Sequence, residues 1–215
     1  MTQLPPLAEI CQHRLLPVVT IEEAALASTL GAVISDAGFP IAEITLRTPA
    51  ALDAIATLAR NPDFTVGAGT VLTSADVDRA VDAGARFVVS PGFSPDVVAR
   101  CAERGVPHLP GVASPSEVMA AAAAGLHTAK LFPASTLGGL AAIRALAGPF
   151  PTMRFVPLGG ITAANAGEYL EHPAVEAVGG SWLAPPDLLH ARDWGEVARR
   201  CSAFARIRGR STAAP

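Results

Sequence analysis

The sequence has little charge: only 16% of its 215 residues are charged, and the formal net charge is -3. A slightly acidic chain does not suit nucleic acid or an anionic membrane as its main partner. No apolar run reaches the roughly 18 residues of a membrane span, and the first residues lack the basic and then apolar order of a signal peptide. We therefore expect a cytoplasmic protein with no membrane or nucleic-acid partner.

Cysteine and histidine are scarce and scattered. The three cysteines, Cys11, Cys101 and Cys201, are far apart and odd in number, which favours reduced thiols over a disulfide framework. Histidines occur at positions 13, 108, 127, 172 and 190, and none forms a pair with metal-ligand spacing. The sequence therefore predicts no metal site.

Short β-branched, apolar runs recur along the chain, and each is followed by an alanine-rich stretch with helical spacing. Eight such runs are predicted as strands: 15–21, 41–47, 64–71, 87–93, 106–112, 128–133, 154–161 and 175–182. Alternating strands and helices predict a parallel sheet, and eight units indicate an α/β protein with a closed (β/α)8 TIM barrel. The alternative is an open doubly wound sheet, but no G-x-G-x-x-G follows the first strand.

Helix starts and the absence of a linker complete the predicted organisation. Thr73, Ser94, Ser114 and Thr162 each precede a predicted helix and are suitable capping residues. No low-complexity segment divides the chain, so residues 1–215 are predicted to form one barrel domain. Residues 206–215 are predicted to be a flexible tail.

The second predicted strand has one apolar and one polar face. Side chains alternate along a strand, so Glu43 and Arg47 share a face that is opposite to Ile44. The apolar face suits packing against helices, which predicts that Glu43 points into the barrel and that Arg47 lies at its mouth. The alternative is an edge strand whose polar face meets solvent.

The sixth predicted strand carries Lys130, which is the single lysine beside fifteen arginines. The same alternation directs Lys130 inward, and second and sixth strands lie opposite each other in an eight-stranded barrel, so Lys130 should face Glu43. Burial and the nearby Arg47 favour a neutral amine, which imine chemistry with a carbonyl substrate requires. The alternative is a structural ion pair between lysine and glutamate.

Small residues end the third, seventh and eighth predicted strands. The segment 67–71 is Gly-Ala-Gly-Thr-Val, and Gly-Gly pairs occur at 159–160 and 179–180. Barrels of this fold often bind phosphate through backbone amides after the last two strands. The two pairs together therefore indicate a phosphate site, although either pair alone is more typical of a tight turn.

Five blocks in chain order resemble one enzyme family, the 2-keto-3-deoxy-6-phosphogluconate aldolases, also called 4-hydroxy-2-oxoglutarate aldolases. The blocks are 43–48, 67–71, 90–92, 130–134 and 179–183. The resemblance implies a class I aldolase of the Entner–Doudoroff pathway, on a (β/α)8 barrel and usually a homotrimer. It also implies that pyruvate and a phosphorylated sugar acid are the ligands and that no cofactor is needed.

The resemblance also implies roles for individual residues. Lys130 would form the imine and Glu43 would be the general acid and base. Arg47 and Thr70 would hold the pyruvyl carboxylate. The remaining implied contacts are Gly159, Gly160, Gly180 and Ser181 for phosphate, and Pro91 and Phe132 for the pocket wall.

One position departs from the family pattern, because Leu158 replaces the threonine of the usual Pro-Thr-Gly-Gly-Ile block. That hydroxyl lies near the substrate's carbon 4 in the family, so its replacement bears on stereochemistry. The aldolase for the galactonate epimer resembles the chain less, because it lacks the arginine that matches Arg47. Two further alternatives stay open: a sugar-phosphate isomerase or epimerase with Glu43 as the base, and a sugar-acid-phosphate binding protein.

Overall fold

A computed structural model describes residues 7–211. Its strands are β1 (Leu15–Val19), β2 (Ile41–Thr45), β3 (Thr65–Gly69), β4 (Val88–Val89), β5 (His108–Leu109), β6 (Gly111–Val112), β7 (Thr128–Leu131), β8 (Arg154–Pro157) and β9 (Val178–Gly180). Its helices are α1 (Ala8–His13), α2 (Ala27–Asp36), α3 (Ala51–Ala59), α4 (Ser74–Asp82), α5 (Pro95–Arg104), α6 (Pro115–Ala123), α7 (Leu140–Ala147), α8 (Ala166–Leu170), α9 (Pro186–Ala191) and α10 (Trp194–Ser211).

All strand pairs are parallel, as the alternation of strands and helices predicted. The strands form two curled sheets with the orders β5-β4-β3-β2-β1-β9 and β6-β7-β8. The fifth predicted strand is divided into β5 and β6 at Pro110, whose carbonyl still accepts the amide hydrogen of Lys130 at 2.8 Å. An isolated parallel bridge between Phe155 and Val175 links β8 to the segment before β9.

Three of the four predicted helix caps are confirmed. The hydroxyl groups of Thr73, Ser94 and Ser114 accept backbone amide hydrogens in the first turns of α4, α5 and α6. The fourth prediction is wrong, because α8 begins only at Ala166 and Thr162 lies in the preceding turn. Helix α10 continues to Ser211, into the segment predicted as a tail, and residues 212–215 lie outside the described residues.

Two apolar clusters lie on opposite faces of the strands. The larger one fills the space between strands and helices and includes Ile44, Ala129 and Phe155. The smaller one, which we call the inner cluster, contains Ile10, Leu16, Ile41, Phe87, Val89, Leu109, Val156, Leu158 and Ala177. Because side chains alternate along a strand, residues two apart from members of the inner cluster also point inward.

Within the described range 7–211, no helix is long and apolar enough to span a membrane.

Candidate active site

The buried carboxylate of Glu43 and the amine of Lys130 meet on the inner face of the strands. Glu43 lies two residues after Ile41 on β2, and its exposed fraction is 1%. Lys130 lies on β7 with an exposed fraction of 5%, and its Nζ is 3.9 Å from Glu43 Oε1. This separation exceeds a direct hydrogen bond, which leaves both groups free to contact a third one. The structure thus brings together the two side chains that alternation directed inward.

Glycines on the inner face of β3 provide the room for the Glu43 carboxylate. A Cβ atom built on Gly69 would lie 2.0 Å from Glu43 Oε1, and one on Gly67 would lie 2.1 Å from the Phe87 ring. In the structure these two glycines accommodate side chains of the protein itself.

Burial raises the pKa of the Glu43 carboxyl, while the positive charges of Lys130 and Arg47 act in the opposite direction. Its second oxygen, Oε2, is buried and accepts no hydrogen bond from residues 7–211. A carboxyl group with a raised pKa can both give and take a proton near neutral pH. Glu43 therefore has the electrostatic setting of a general acid and base.

An aromatic ring adjoins the amine of Lys130. Its Nζ lies 4.8 Å from the centroid of the Phe132 ring, which is within the range of a cation–π contact. Phe132 also packs against the inner cluster. The predicted pocket residue therefore contacts the predicted nucleophile.

Arg47 and Thr70 lie together beyond the ends of β2 and β3. The Nε atom of Arg47 donates a hydrogen bond to Thr70 Oγ1 at 3.1 Å. Thr70 has a φ of 58°, a left-handed conformation that costs a non-glycine residue roughly 1–3 kcal/mol. Arg47 is exposed. The pair presents one guanidinium group and one hydroxyl at the mouth, which suits a carboxylate ligand.

Pro91 lies in a turn after β4 that contacts the neighbouring strand. A Cβ atom on Gly111 would lie 2.1 Å from the Pro91 carbonyl oxygen, so the turn packs directly on β6. Phe87, which directly precedes β4, and Val89 of β4 belong to the inner cluster. Alternation therefore directs Pro91 inward as well, towards the pocket.

The two Gly-Gly pairs differ in local geometry. Gly159 and Gly160 have φ values of 91° and 78°, so this turn needs glycine at both positions. Gly180 lies against the Trp182 ring, where a Cβ atom would approach to 2.1 Å, and Ser181 is exposed. Gly159 and Gly160 follow the carboxyl end of β8, and Gly179 and Gly180 form the carboxyl end of β9.

Leu158 fills the space where the family pattern has a hydroxyl. It is 3% exposed, belongs to the inner cluster, and would contact a Cβ atom on Gly179 at 2.6 Å. The wall at β8 is therefore apolar.

Sequence reasoning missed a hydroxyl pair near the mouth. Thr20 Oγ1 and Thr45 Oγ1 are 2.9 Å apart, and Thr45 lies two residues after Glu43 on the same inner face. The register Val18 to Glu43 places Thr20 beside Thr45. Applying the alternation to the predicted strand 15–21 would have identified Thr20, because it shares a face with Leu16 and Val18.

The cysteines and histidines form no cluster with metal-binding composition among residues 7–211. All three cysteines are free, and the Cys11 thiol donates a hydrogen bond to Glu176 at 3.0 Å. Burial raises the pKa of the Cys11 and Cys101 thiols.

Comparison with known proteins shows the family of this chain. The family model "KDPG and KHG aldolase" matches residues 8–200. The 2-dehydro-3-deoxy-phosphogluconate aldolase of Treponema pallidum is 46% identical over 185 residues, which are 86% of this chain and 88% of that protein.

Solved structures agree with this match. KDPG aldolase of Legionella pneumophila, with pyruvate captured as a covalent carbinolamine intermediate, has a TM-score of 0.88 and 38% identity, covering 91% of this chain and 96% of that one. The Zymomonas mobilis 2-keto-3-deoxy-6-phosphogluconate aldolase with 3-phosphoglycerate has a TM-score of 0.87 and 37% identity, covering 91% and 92%. The chain belongs to the KDPG and KHG aldolase family.

Proposed function

We propose that the protein is a class I aldolase that cleaves 2-keto-3-deoxy-6-phosphogluconate to pyruvate and glyceraldehyde 3-phosphate. The observation that carries this proposal is the single lysine of the chain, buried on the inner face with Nζ 3.9 Å from Glu43 Oε1. Burying an amine and a carboxylate together is costly, and such pairs are frequent at sites that move protons.

The first half of the mechanism forms the imine. The Lys130 amine attacks carbon 2 of the substrate ketone, and a carbinolamine results. Glu43 donates a proton to the carbinolamine hydroxyl, so that water leaves and an iminium ion remains. This ion is the electron sink of the reaction, and no metal or organic cofactor is needed.

The second half breaks the carbon–carbon bond. Glu43, acting through a water molecule, takes the proton of the carbon 4 hydroxyl. The electrons of the bond between carbons 3 and 4 move into the iminium ion, which releases glyceraldehyde 3-phosphate and leaves the enamine of pyruvate. Glu43 returns its proton to carbon 3, and addition of water frees pyruvate and the Lys130 amine.

The remaining site residues hold the two ends of the substrate. Arg47 and Thr70 bind the pyruvyl carboxylate, a role supported by their mutual hydrogen bond at the mouth. Pro91 and Phe132 form the apolar wall. The phosphate binds at Gly159, Gly160, Gly180 and Ser181, a position supported by backbone amides at the carboxyl ends of β8 and β9.

The phosphate-free 4-hydroxy-2-oxoglutarate is a second substrate under this proposal, and it gives pyruvate and glyoxylate. It carries the same reacting carbons 2 to 4, with a carboxylate at carbon 5 in place of the hydroxyl-bearing carbon 5 and the phosphorylated carbon 6. The galactonate epimer of the phosphorylated acid differs at carbon 4, near Leu158.

The finer architecture is also part of the proposal. We propose that the nine strands act as one closed eight-stranded barrel, with β5 and β6 as two parts of one strand. The bridge from Phe155 to Val175 supports closure between β8 and β9. A homotrimer in the cytoplasm, acting in the Entner–Doudoroff pathway, completes the proposal.

Borohydride trapping with pyruvate tests the mechanism directly. Reduction should fix a pyruvyl group on Lys130, and the chain offers no other lysine to receive it. Lys130→Arg keeps a long basic side chain but cannot form an imine, so it should lose both the adduct and turnover. If folded wild-type protein forms no adduct, the aldolase mechanism fails. An isomerase would then convert a sugar phosphate without the adduct, and a binding protein would bind the phosphorylated acid without turnover.

A further inference from the structure

A buried serine–histidine pair lies behind the turn that contains Pro91. Ser90 and His108 are 2% and 1% exposed, and Ser90 Oγ is 2.9 Å from His108 Nε2. Ser90 Oγ also lies 2.6 Å from the carbonyl oxygen of Gly92, to which it donates. The pair thus ties β5 to the turn after β4.

The positions of the hydrogen atoms in these two hydrogen bonds can be assigned from the groups that accept them. The serine hydroxyl has one hydrogen, and the Gly92 carbonyl can only accept it. His108 Nε2 must therefore carry its own hydrogen and donate it to Ser90 Oγ. The other ring nitrogen, Nδ1, is buried and has no hydrogen-bond partner among residues 7–211. Burial lowers the pKa of His108 to about 4, which keeps the ring neutral at neutral pH.

The turn held by this pair forms one wall of the proposed pocket. Ser90 follows Val89, which faces the inner cluster, so Ser90 points outward and Pro91 inward. The carbonyl of Pro91 packs on the backbone of Gly111. The proline is therefore held from one side by β6 and from the other by the hydrogen bonds of Ser90.

We propose that His108 is a positioning residue, which acts through Ser90 to hold Pro91 against the bound pyruvyl group. The inference rests on the proposed aldolase function. The observation that supports positioning is geometric: the hydrogen bonds from His108 to Ser90 and from Ser90 to Gly92 bracket Pro91 in the chain, so they define the geometry of the turn that carries it.

Three variants separate positioning from general packing. His108→Leu removes the donor, Ser90→Ala removes the acceptor, and His108→Gln keeps a side-chain N–H that can reach Ser90 Oγ. Losing one hydrogen bond of this kind should raise KM for the phosphorylated substrate about fivefold, with kcat little changed. His108→Gln should restore the wild-type KM.

Val88→Ala is the matched control, because Val88 is the register partner of His108 on β4 and is buried on the same outward face. It should lower the melting temperature and leave KM unchanged. The inference is overturned if His108→Leu and Ser90→Ala keep the wild-type KM, or if kcat falls while KM does not change. Wild-type turnover is measured in the same assay, and its absence would count against the proposed function instead.

Nitrogen NMR of the histidine rings tests the contact without turnover. His108 should give the signals of a neutral ring with its hydrogen on Nε2, and these signals should change in Ser90→Ala. A ring with its hydrogen on Nδ1 would overturn the inference, whether or not the enzyme is active.

Discussion

Substituting Gly69 by alanine should displace the Glu43 carboxylate without changing the chemical identity of any predicted catalytic residue. The added methyl carbon would lie 2.0 Å from Oε1 and 2.6 Å from both Cδ and Cγ of Glu43. Ordinary van der Waals contact begins at 3.4 Å, so the carboxylate must move by more than 1 Å. Cδ and Cγ are within 2.6 Å as well as the terminal oxygen, so rotation of the carboxylate group alone does not relieve the contact.

The expected effects on rate and stability follow from this displacement. A misplacement of about 1 Å at a reacting group can lower kcat by roughly a hundredfold, or about 2.7 kcal/mol. Overpacking of a core costs roughly 1–3 kcal/mol of unfolding free energy. Gly69→Ala should therefore fold, with a lower melting temperature and a strongly reduced kcat.

Two further alanine variants make the experiment specific. Gly67→Ala overpacks against the Phe87 ring, 2.1 Å from the built Cβ, so it should lose stability while kcat stays near the wild-type value. Gly167→Ala in α8 meets only Ile207 at 3.5 Å and should gain about 0.5–1 kcal/mol in unfolding free energy. Pyruvate release, coupled to lactate dehydrogenase, gives kcat, and urea titration gives stability. Equal kcat losses in Gly67→Ala and Gly69→Ala would refute the reasoning.

Three other predictions concern single side chains. Burial raises the pKa of Glu43, so the stability that its neutral form contributes is lost as pH rises through that pKa. Glu43→Gln should therefore gain stability relative to wild type over this pH range in melting scans. Its kcat should fall roughly a hundredfold. Leu158→Thr should shift the ratio of carbon 4 epimers formed from pyruvate and glyceraldehyde 3-phosphate by about tenfold, which chromatography of the products measures; an unchanged ratio would mean that residue 158 does not contact carbon 4. Thr73→Ala removes the capping box of α4 and should lower the free energy of unfolding, measured by chemical denaturation, by about 1 kcal/mol. An unchanged kcat would show that the effect is local.

Strand periodicity explains why the central pair could be predicted from the sequence. Because side chains alternate with a period of two residues, Glu43 and Ile44 are assigned to opposite faces of their strand, and so are Lys130 and Leu131. This assignment needs no knowledge of distant contacts. The order of strands then places β2 and β7 on facing sides. Capping residues such as Thr73 are local signals of the same kind, because the side chain and the amide it accepts from are three residues apart.

Features that depend on distant packing could not be predicted. Nothing in the segment 67–71 indicates that Phe87 and the Glu43 side chain occupy the space beside its glycines, since neither residue is a sequence neighbour. The pairing of Ser90 with His108 depends on the register of β4 against β5. The late start of α8 depends on Asn165. Its side chain accepts a hydrogen bond from the amide of Thr162 and donates one to the carbonyl of Gly160, which extends the turn before the helix.

Helix α1 has a kinetic consequence for the proposed reaction. It precedes β1 and contributes Ile10, 1% exposed, to the inner cluster. Apolar packing therefore fills the space enclosed by the strands at their amino ends. Substrate then enters and leaves past the opposite rim, beside the proposed phosphate site. Glyceraldehyde 3-phosphate must depart before pyruvate, which is still bonded to Lys130. In the synthetic direction pyruvate must bind first, and an excess of aldehyde should act as a competitive inhibitor towards pyruvate by occupying the entrance.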